Sequence, residues 1–150
     1  MSKNLTIEMV TPEKVALQMP AESVVLPAHE GEMGVLPGHE PFMVQLKAGE
    51  VRVTSGGACR CFAVSGGFAE ILGDKVSVFA ETAEMAGDID SERARQALER
   101  AKSEAKGRPD DLTLAQAEAA IKRAQVRLRV SKLRRRPRGA APVRASKTDL

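Results

Sequence analysis

Aromatic side chains are scarce in this 150-residue chain, which has four Phe, no Trp and no Tyr. Single-strand nucleic-acid modules stack bases on aromatic faces, so that function lacks its platform here. The only two cysteines, Cys59 and Cys61, stand two apart in a stretch with strand character. Both side chains then share one face of a sheet. Neighbours at that spacing rarely bridge, and two thiols without His partners do not make a zinc site. They read as packing residues in a reducing compartment. No run approaches the ~18 apolar residues of a spanning helix. Met1 to Val10 also lacks both the apolar core of a secretory signal and the pattern of an Arg-rich presequence. The chain is expected in the cytoplasm, or on a membrane only through partners.

Charge is present but divided. Residues 1–118 carry 12 Lys and Arg against 19 Asp and Glu, a net of −7, whereas residues 119–150 carry 11 against Asp149 alone, a net of +10. The overall +3 describes neither part. A one-sign field at one end of a chain suits an acidic protein surface, anionic lipid or nucleic acid.

From Leu5 to roughly Thr82 the hydrophobic period is two, in short runs broken by turn residues. Strands are expected at Leu5 to Val10, Val15 to Met19, Ser23 to Leu26, Phe42 to Leu46, Glu50 to Thr54, Cys59 to Val64, Phe68 to Leu72 and Lys75 to Phe79. Ala48-Gly49 reads as a hairpin turn. Short, evenly spaced strands imply a sandwich or barrel. One local repeat interrupts them: Val25-Leu26-Pro27-Ala28-His29-Glu30 returns as Val35-Leu36-Pro37-Gly38-His39-Glu40. Its Pro and Gly content reads as a loop.

After Glu84 the period becomes helical. Asp90 suits an N-cap, and Ala94, Leu98, Ala101 and Ala105 form a stripe that Gly107 and Pro109 end. Asp110 and Asp111 begin a second segment, where Thr113 and Gln116 fit a capping box and Leu114, Ala117, Ile121, Ala124 and Leu128 repeat at three and four. The expected fold is α+β: an all-β sandwich over 1–86, an antiparallel two-helix hairpin over 87–133 and a disordered basic tail over 134–150. The first stripe is mostly alanine, which buries little area and packs weakly, so the hairpin is built to dock or to open.

Chemistry has few candidates. His29-Glu30 and His39-Glu40 invite a metal, but the zincin pattern needs a second His four residues on, where Met33 and Met43 stand. Ser55-Gly56-Gly57 and Ser65-Gly66-Gly67 lack the Lys-Ser or Lys-Thr of a phosphate loop and read as turns. The arginines leave two readings. Arg93 and Arg100 share a face of the first helix, and Arg123 and Arg127 share one of the second. Facing each other, four guanidinium groups require an anion such as a phosphate chain. Facing solvent, they offset Glu92, Glu99 and Glu118.

Three stretches carry a family resemblance. Glu30-Gly31-Glu32-Met33-Gly34-Val35-Leu36-Pro37-Gly38-His39-Glu40-Pro41, Phe62-Ala63-Val64-Ser65-Gly66-Gly67-Phe68 and Asp88-Ile89-Asp90-Ser91-Glu92-Arg93-Ala94 together resemble the epsilon subunits of F-type ATP synthases, over about residues 3 to 133. The resemblance implies a non-catalytic rotor subunit whose sandwich holds the gamma subunit and rests on the c-ring, with Glu32 and His39 at the ring. It implies that the hairpin moves between a folded state and an extended one. When extended, the basic positions Arg123, Arg127, Arg129 and Lys132 reach acidic segments of the catalytic alpha and beta subunits and block hydrolysis.

Some members of the family bind ATP in the folded hairpin. Ile89, Asp90, Arg93 and Ala94 satisfy the pattern of that site, and Glu84, Arg100, Arg123 and Arg127 fall at its remaining contacts. ATP is thus implied as a regulatory ligand, with no cofactor required. The tail beyond Arg134 departs from the family pattern. Its charge alone supports the rival reading, a basic-tailed nucleic-acid binder.

Overall fold

The computed structural model describes residues 4–107 and 110–133. Pro109 and the tail expected over 134–150 lie outside them. Ten strands come first: β1 (Leu5–Val10), β2 (Val15–Ala21), β3 (Ser23–Ala28), β4 (Gly31–Val35), β5 (Phe42–Leu46), β6 (Gly49–Ser55), β7 (Ala58–Val64), β8 (Gly67–Leu72), β9 (Lys75–Ala80) and β10 (Ala83–Met85). A 3-10 turn, Ala86–Asp88, leads to helices α1 (Ser91–Lys106) and α2 (Asp111–Leu133).

Hydrogen bonds link the strands in the order β10-β7-β6-β3-β5-β8-β9-β1-β2, with β4 on the free side of β3. The path folds over at β3, which pairs with β6 through Ser23 to Val25 and touches β5 only at Ala28 and Leu46. One layer is then β10, β7, β6, β3 and β4; the other is β5, β8, β9, β1 and β2. Alternate residues of both layers fill the space between them, among them Leu5, Ile7, Leu26, Val51, Ile71 and Val78, each essentially without solvent exposure. The sandwich and the two helices match the fold expected from the pattern.

Three local expectations change. The Pro- and Gly-rich repeat is not all loop, because β4 pairs with β3 in register from Val24–Val35 to Ala28–Gly31, leaving His29-Glu30 at the hairpin turn. Gly31, at φ 140°, supplies a backbone that its neighbours disfavour. Ala48-Gly49 is not a hairpin turn, since β5 and β6 do not pair with each other but meet the same edge of β3 at successive positions, β6 at Ser23 to Val25 and β5 at Ala28. Gly49 is small there because a Cβ would stand 2.5 Å from the Pro27 Cβ. The third change is at α2, whose cap is Asp110: its carboxylate accepts from the Thr113 N–H at 2.8 Å, and Thr113 lies inside the helix.

Gly66-Gly67 carries the chain from β7 in one layer to β8 in the other, again not a hairpin. Gly67 sits at φ 130°, where a Cβ would meet the Phe79 carbonyl oxygen at 2.0 Å. Only glycine admits that approach. Gly56-Gly57, with both φ values positive, does close the β6–β7 hairpin.

The hairpin packs through two surfaces of α2. Ala117 and Ala124 are buried with Ala94 and Ala101 of α1, as the stripes require, and a four-residue connection makes the helices antiparallel. A second surface, Val126 and Val130, covers Ala63 of β7 together with Ala86 and Ile89. This explains a break in alternation: Phe62, Ala63 and Val64 are consecutively buried because β7 has the core on one face and α2 on the other. Cys61 packs at the edge of this second cluster, while Cys59, on the same face, is exposed. The packing role expected of both cysteines therefore holds for Cys61 alone. Burial, with help from the Glu50 carboxylate and Cys59, pushes the Cys61 thiol up to about 12.

Three outcomes follow. Gly67→Ala is expected to cost roughly 3 kcal/mol or more in urea unfolding, from backbone collision and a disfavoured φ. Gly34→Ala, with nothing within 4 Å of its Cβ, should stay within ~0.5 kcal/mol of the parent. In the second, iodoacetamide at pH 8 is expected to alkylate Cys59 quickly and Cys61 only as fast as α2 lifts from β7, because the thiolate is the nucleophile. Equal rates at both sites would contradict the packing.

The third concerns pH. Thr113, through its hydroxyl and its backbone N–H, holds the Asp110 carboxyl below its usual value of 3.8. The cap's contribution is full above that value and lost as pH falls through the lowered one. Amide exchange at Thr113, corrected for its intrinsic rate, should show this acid-side loss of protection in the parent and not in Asp110→Asn.

Candidate functional site

The residues named from the sequence fall into two places. The first is the β3–β4 hairpin and the loop after it. Glu32 is exposed on β4 and pairs with Arg52 of β6, Oε2 to guanidinium nitrogen at 2.9 Å. This contact crosses β3, because Glu32 stands opposite Pro27 and Arg52 opposite Val25. His39 is half-buried in the following loop, where its Nδ1 lies 2.7 Å from the Glu40 carbonyl oxygen and its backbone N–H donates to the Leu36 carbonyl. Each is engaged separately, and among the described residues no hydrogen bond or ion pair joins the two. No group of three metal-ligating side chains gathers among the described residues.

The second place is the seam between β10, β7 and the hairpin. Glu84 of β10 and Arg127 of α2, 43 positions apart, form an ion pair with Oε1 2.7 Å from Nε. The Nε–H does not point at that oxygen, so the contact is charge to charge there. A true hydrogen bond runs from the outer guanidinium nitrogen to Oε2 at 3.1 Å. Both side chains are about 30% exposed. Beside the pair lies a cleft of about 270 Å³ lined by Ser65, Thr82, Glu84, Ala97, Arg123 and Arg127, among others. Arg123 and Arg127 therefore reach one site.

The other expected contacts are placed differently. Asp90 caps α1, its Oδ1 accepting from the Glu92 and Arg93 N–H groups, both at 3.1 Å. Ile89 is buried under Val130, and Ala94 is buried in the helix seam. Arg93 and Arg100 are exposed on α1 and do not line the cleft. Four guanidinium groups thus do not converge in the docked hairpin; two do, and one of these is already paired. Arg129 and Lys132 are exposed on α2.

Sequence pattern missed two surfaces. Val126 and Val130, at i and i+4, lie off the stripe that meets α1, and this second spacing was the available signal. The other surface is the outside of the β5–β8–β9 layer, where Met43, Phe68 and Leu72 are exposed and Phe68 stacks on Phe79 with ring centroids 5.1 Å apart. These residues occupy the outward phase of strands whose inward phase is already apolar. Among the described residues no helix is long and apolar enough to cross a membrane.

Known proteins share this arrangement. Residues 4–86 match the family model described as ATP synthase, Delta/Epsilon chain, beta-sandwich domain, and residues 88–132 match its long alpha-helix domain. The ATP synthase epsilon chain of Syntrophobacter fumaroxidans is 46% identical over 131 residues, spanning 87% of this chain and 98% of that one. That of Herpetosiphon aurantiacus is 43% identical over 131 residues, at 87% and 96% coverage. A chain of the Euglena gracilis mitochondrial ATP synthase (OSCP/F1/c-ring) superposes with TM-score 0.75 at 28% identity, covering 87% of this chain and 81% of that one. One from the central stalk and c-ring of the Tetrahymena thermophila enzyme gives TM-score 0.57 at 11% identity, covering 87% and 98%, a likeness of fold alone. The nucleic-acid reading gains no support from these matches. Since both parts are matched in order and relatives align over most of their own length, the chain belongs to the ATP synthase delta/epsilon family.

Proposed function

We propose that this chain is the epsilon subunit of a proton-translocating F-type ATP synthase, a non-catalytic part of the central stalk that couples the gamma subunit and the c-ring to ATP synthesis. The observation that carries the reading is the unbroken match of sandwich and hairpin to epsilon chains of similar length. The complex lies on the cytoplasmic face of a bacterial inner membrane, where this subunit is held through its partners.

Each surface then has a partner. The outer face carrying Met43, Phe68 and Leu72 is the gamma-binding surface, because an apolar patch on a polar sheet face is what a permanent neighbour covers. The β3–β4 hairpin and its loop rest on the ring. There Glu32, held by Arg52, presents a fixed carboxylate and His39 a hydrogen-bonded ring. The role is to transmit torque, and no bond is made or broken.

The hairpin is the regulatory element. Docked, it hides Arg127 against Glu84; extended, it offers Arg123, Arg127, Arg129 and Lys132 to acidic segments of the alpha and beta subunits and blocks hydrolysis. ATP is the regulatory ligand of the docked form, held by Arg123 and Arg127 in the cleft with Glu84. Ile89, Asp90 and Ala94 shape the start of α1. Arg93 and Arg100 reach the phosphates once the helices adjust, which the small cleft requires.

Two measurements test these assignments. Purified chain and gamma subunit should co-elute, with Phe68→Glu weakening the complex at least ~tenfold, about 1.4 kcal/mol. An isolated chain with no affinity for gamma overturns the subunit assignment. Calorimetry with ATP should give heat in the parent and a loss of roughly tenfold or more in affinity for Arg93→Ala and for Arg123→Ala. No heat at millimolar ATP removes the nucleotide site and leaves the subunit role standing.

A further inference from the structure

Val126 stands between two cavities. One is the Glu84 cleft. The other is a groove of about 540 Å³ whose walls include Lys47, Glu50 and Glu32 of the sandwich and Lys122 and Arg129 of α2. Lys122, Gln125, Val126 and Arg129 follow the spacing i, i+3, i+4, i+7, so a single face of α2 makes the helical wall. The opposite wall is fixed by backbone. The Lys47 N–H donates to the Pro27 carbonyl at 3.0 Å, and Gly49 lies so close to Pro27 that no side chain fits between them.

The charge in this groove is unbalanced. Three cations, Lys47, Lys122 and Arg129, face two carboxylates. Glu32 is taken by Arg52 at 2.9 Å, and Glu50 lies beside the Cys61 thiol, whose pKa it helps to raise. Among the described residues none of the four ion pairs includes Lys47, Lys122 or Arg129. Cations from two separate elements, gathered around a partly enclosed space, raise the local potential and favour an anion between them. An Arg fork with two ammonium groups suits the tetrahedral oxygens of phosphate. The volume falls in the usual range for small-ligand sites, ~300–1,000 Å³, and exceeds the need of a single inorganic phosphate.

We infer that the groove between the 47–50 segment and α2 is a second anion site, which binds a phosphate-bearing group and through it fastens the hairpin to the sandwich. It is separate from the nucleotide cleft and shares only Val126 with its lining. The bound group bridges Lys47 on one element and Lys122 and Arg129 on the other. A ligand that contacts both elements binds only when they are together, so it shifts the hairpin toward the docked state. The phosphate comes either from a free polyphosphate or from a lipid headgroup, since the same groove includes Glu32 of the segment proposed to face the ring.

The test uses the full chain, the double variant Lys47→Gln/Arg129→Gln, and Arg93→Ala/Arg123→Ala as the control for the nucleotide cleft. Inorganic pyrophosphate is titrated by calorimetry, and retention is measured on vesicles of phosphatidylglycerol against phosphatidylcholine. Pyrophosphate binding that survives in the control, falls at least tenfold in the groove variant and slows Cys61 alkylation in the parent assigns a free anion. Retention on phosphatidylglycerol that is lost in the groove variant and kept in the control assigns a headgroup. The inference is overturned if neither ligand binds, if binding is lost only in the control, or if it is indifferent to both variants.

Discussion

The contact between α2 and the outer face of β7 decides how the two parts of this molecule relate. It consists of Val126 and Val130 over Ala63, Ala86 and Ile89, with the Glu84–Arg127 pair beside them. Each valine buried is worth about 1.5–3 kcal/mol, and a partly exposed ion pair adds up to ~1 kcal/mol. A contact of a few kcal/mol holds at equilibrium and still yields to a ligand that prefers one side by about 10⁴-fold. Everything assigned to the hairpin follows from that scale. A larger apolar interface would make the helices a permanent third layer, and a smaller one would leave them without a fixed place.

The sandwich, by contrast, is closed by features that admit no alternative. Its core is continuous across both layers, and Gly67 lets the β7–β8 crossing pass against the Phe79 carbonyl. The same crossing presents Phe68, which stacks on Phe79 at the outer face. Thus one short motif, Ser65-Gly66-Gly67-Phe68, both joins the layers and sets an aromatic side chain on the exposed apolar face. The sandwich is thus a rigid carrier and the hairpin a loosely docked arm.

Much of this was legible in the residues. Period-two runs located eight of the ten strands, and the stripes located both helices. What escaped depended on partners distant in the chain. β4 was hidden because Gly31, Gly34 and Pro37 look like loop chemistry, yet a β-hairpin to β3 uses the glycine at its turn. β10, Ala83–Met85, is three residues long, too short to show a period. The false hairpin at Ala48-Gly49 came from reading adjacency in sequence as adjacency in the sheet, whereas β5 pairs with β8 and β6 with β7. At the site, spacing placed Arg123 and Arg127 together correctly. It did not reveal that Glu84 occupies one of them, because a pair 43 positions apart has no local signature.

The consecutive burial of Phe62, Ala63 and Val64 shows how the two scales meet. A strand in a one-sided sheet alternates; this one does not, because its outer face was made small and apolar where α2 arrives. Ala63 allows the helix to approach, and a larger residue would lift Val126 and Val130 away. Cys61, one step along the same face, and Glu50, opposite Ala63 on β6, mark where apolar contact gives way to polar groups. On either side of this narrow ridge the helix faces a cavity with basic residues of its own, Arg123 and Arg127 toward one, Lys122 and Arg129 toward the other. An α2 with no acidic residue after Glu118 repels itself. Its docked position is therefore set by apolar contact along the ridge and by whatever negative charge lies in the two flanks: Glu84 in one, and in the other a space that the protein's own carboxylates leave unfilled.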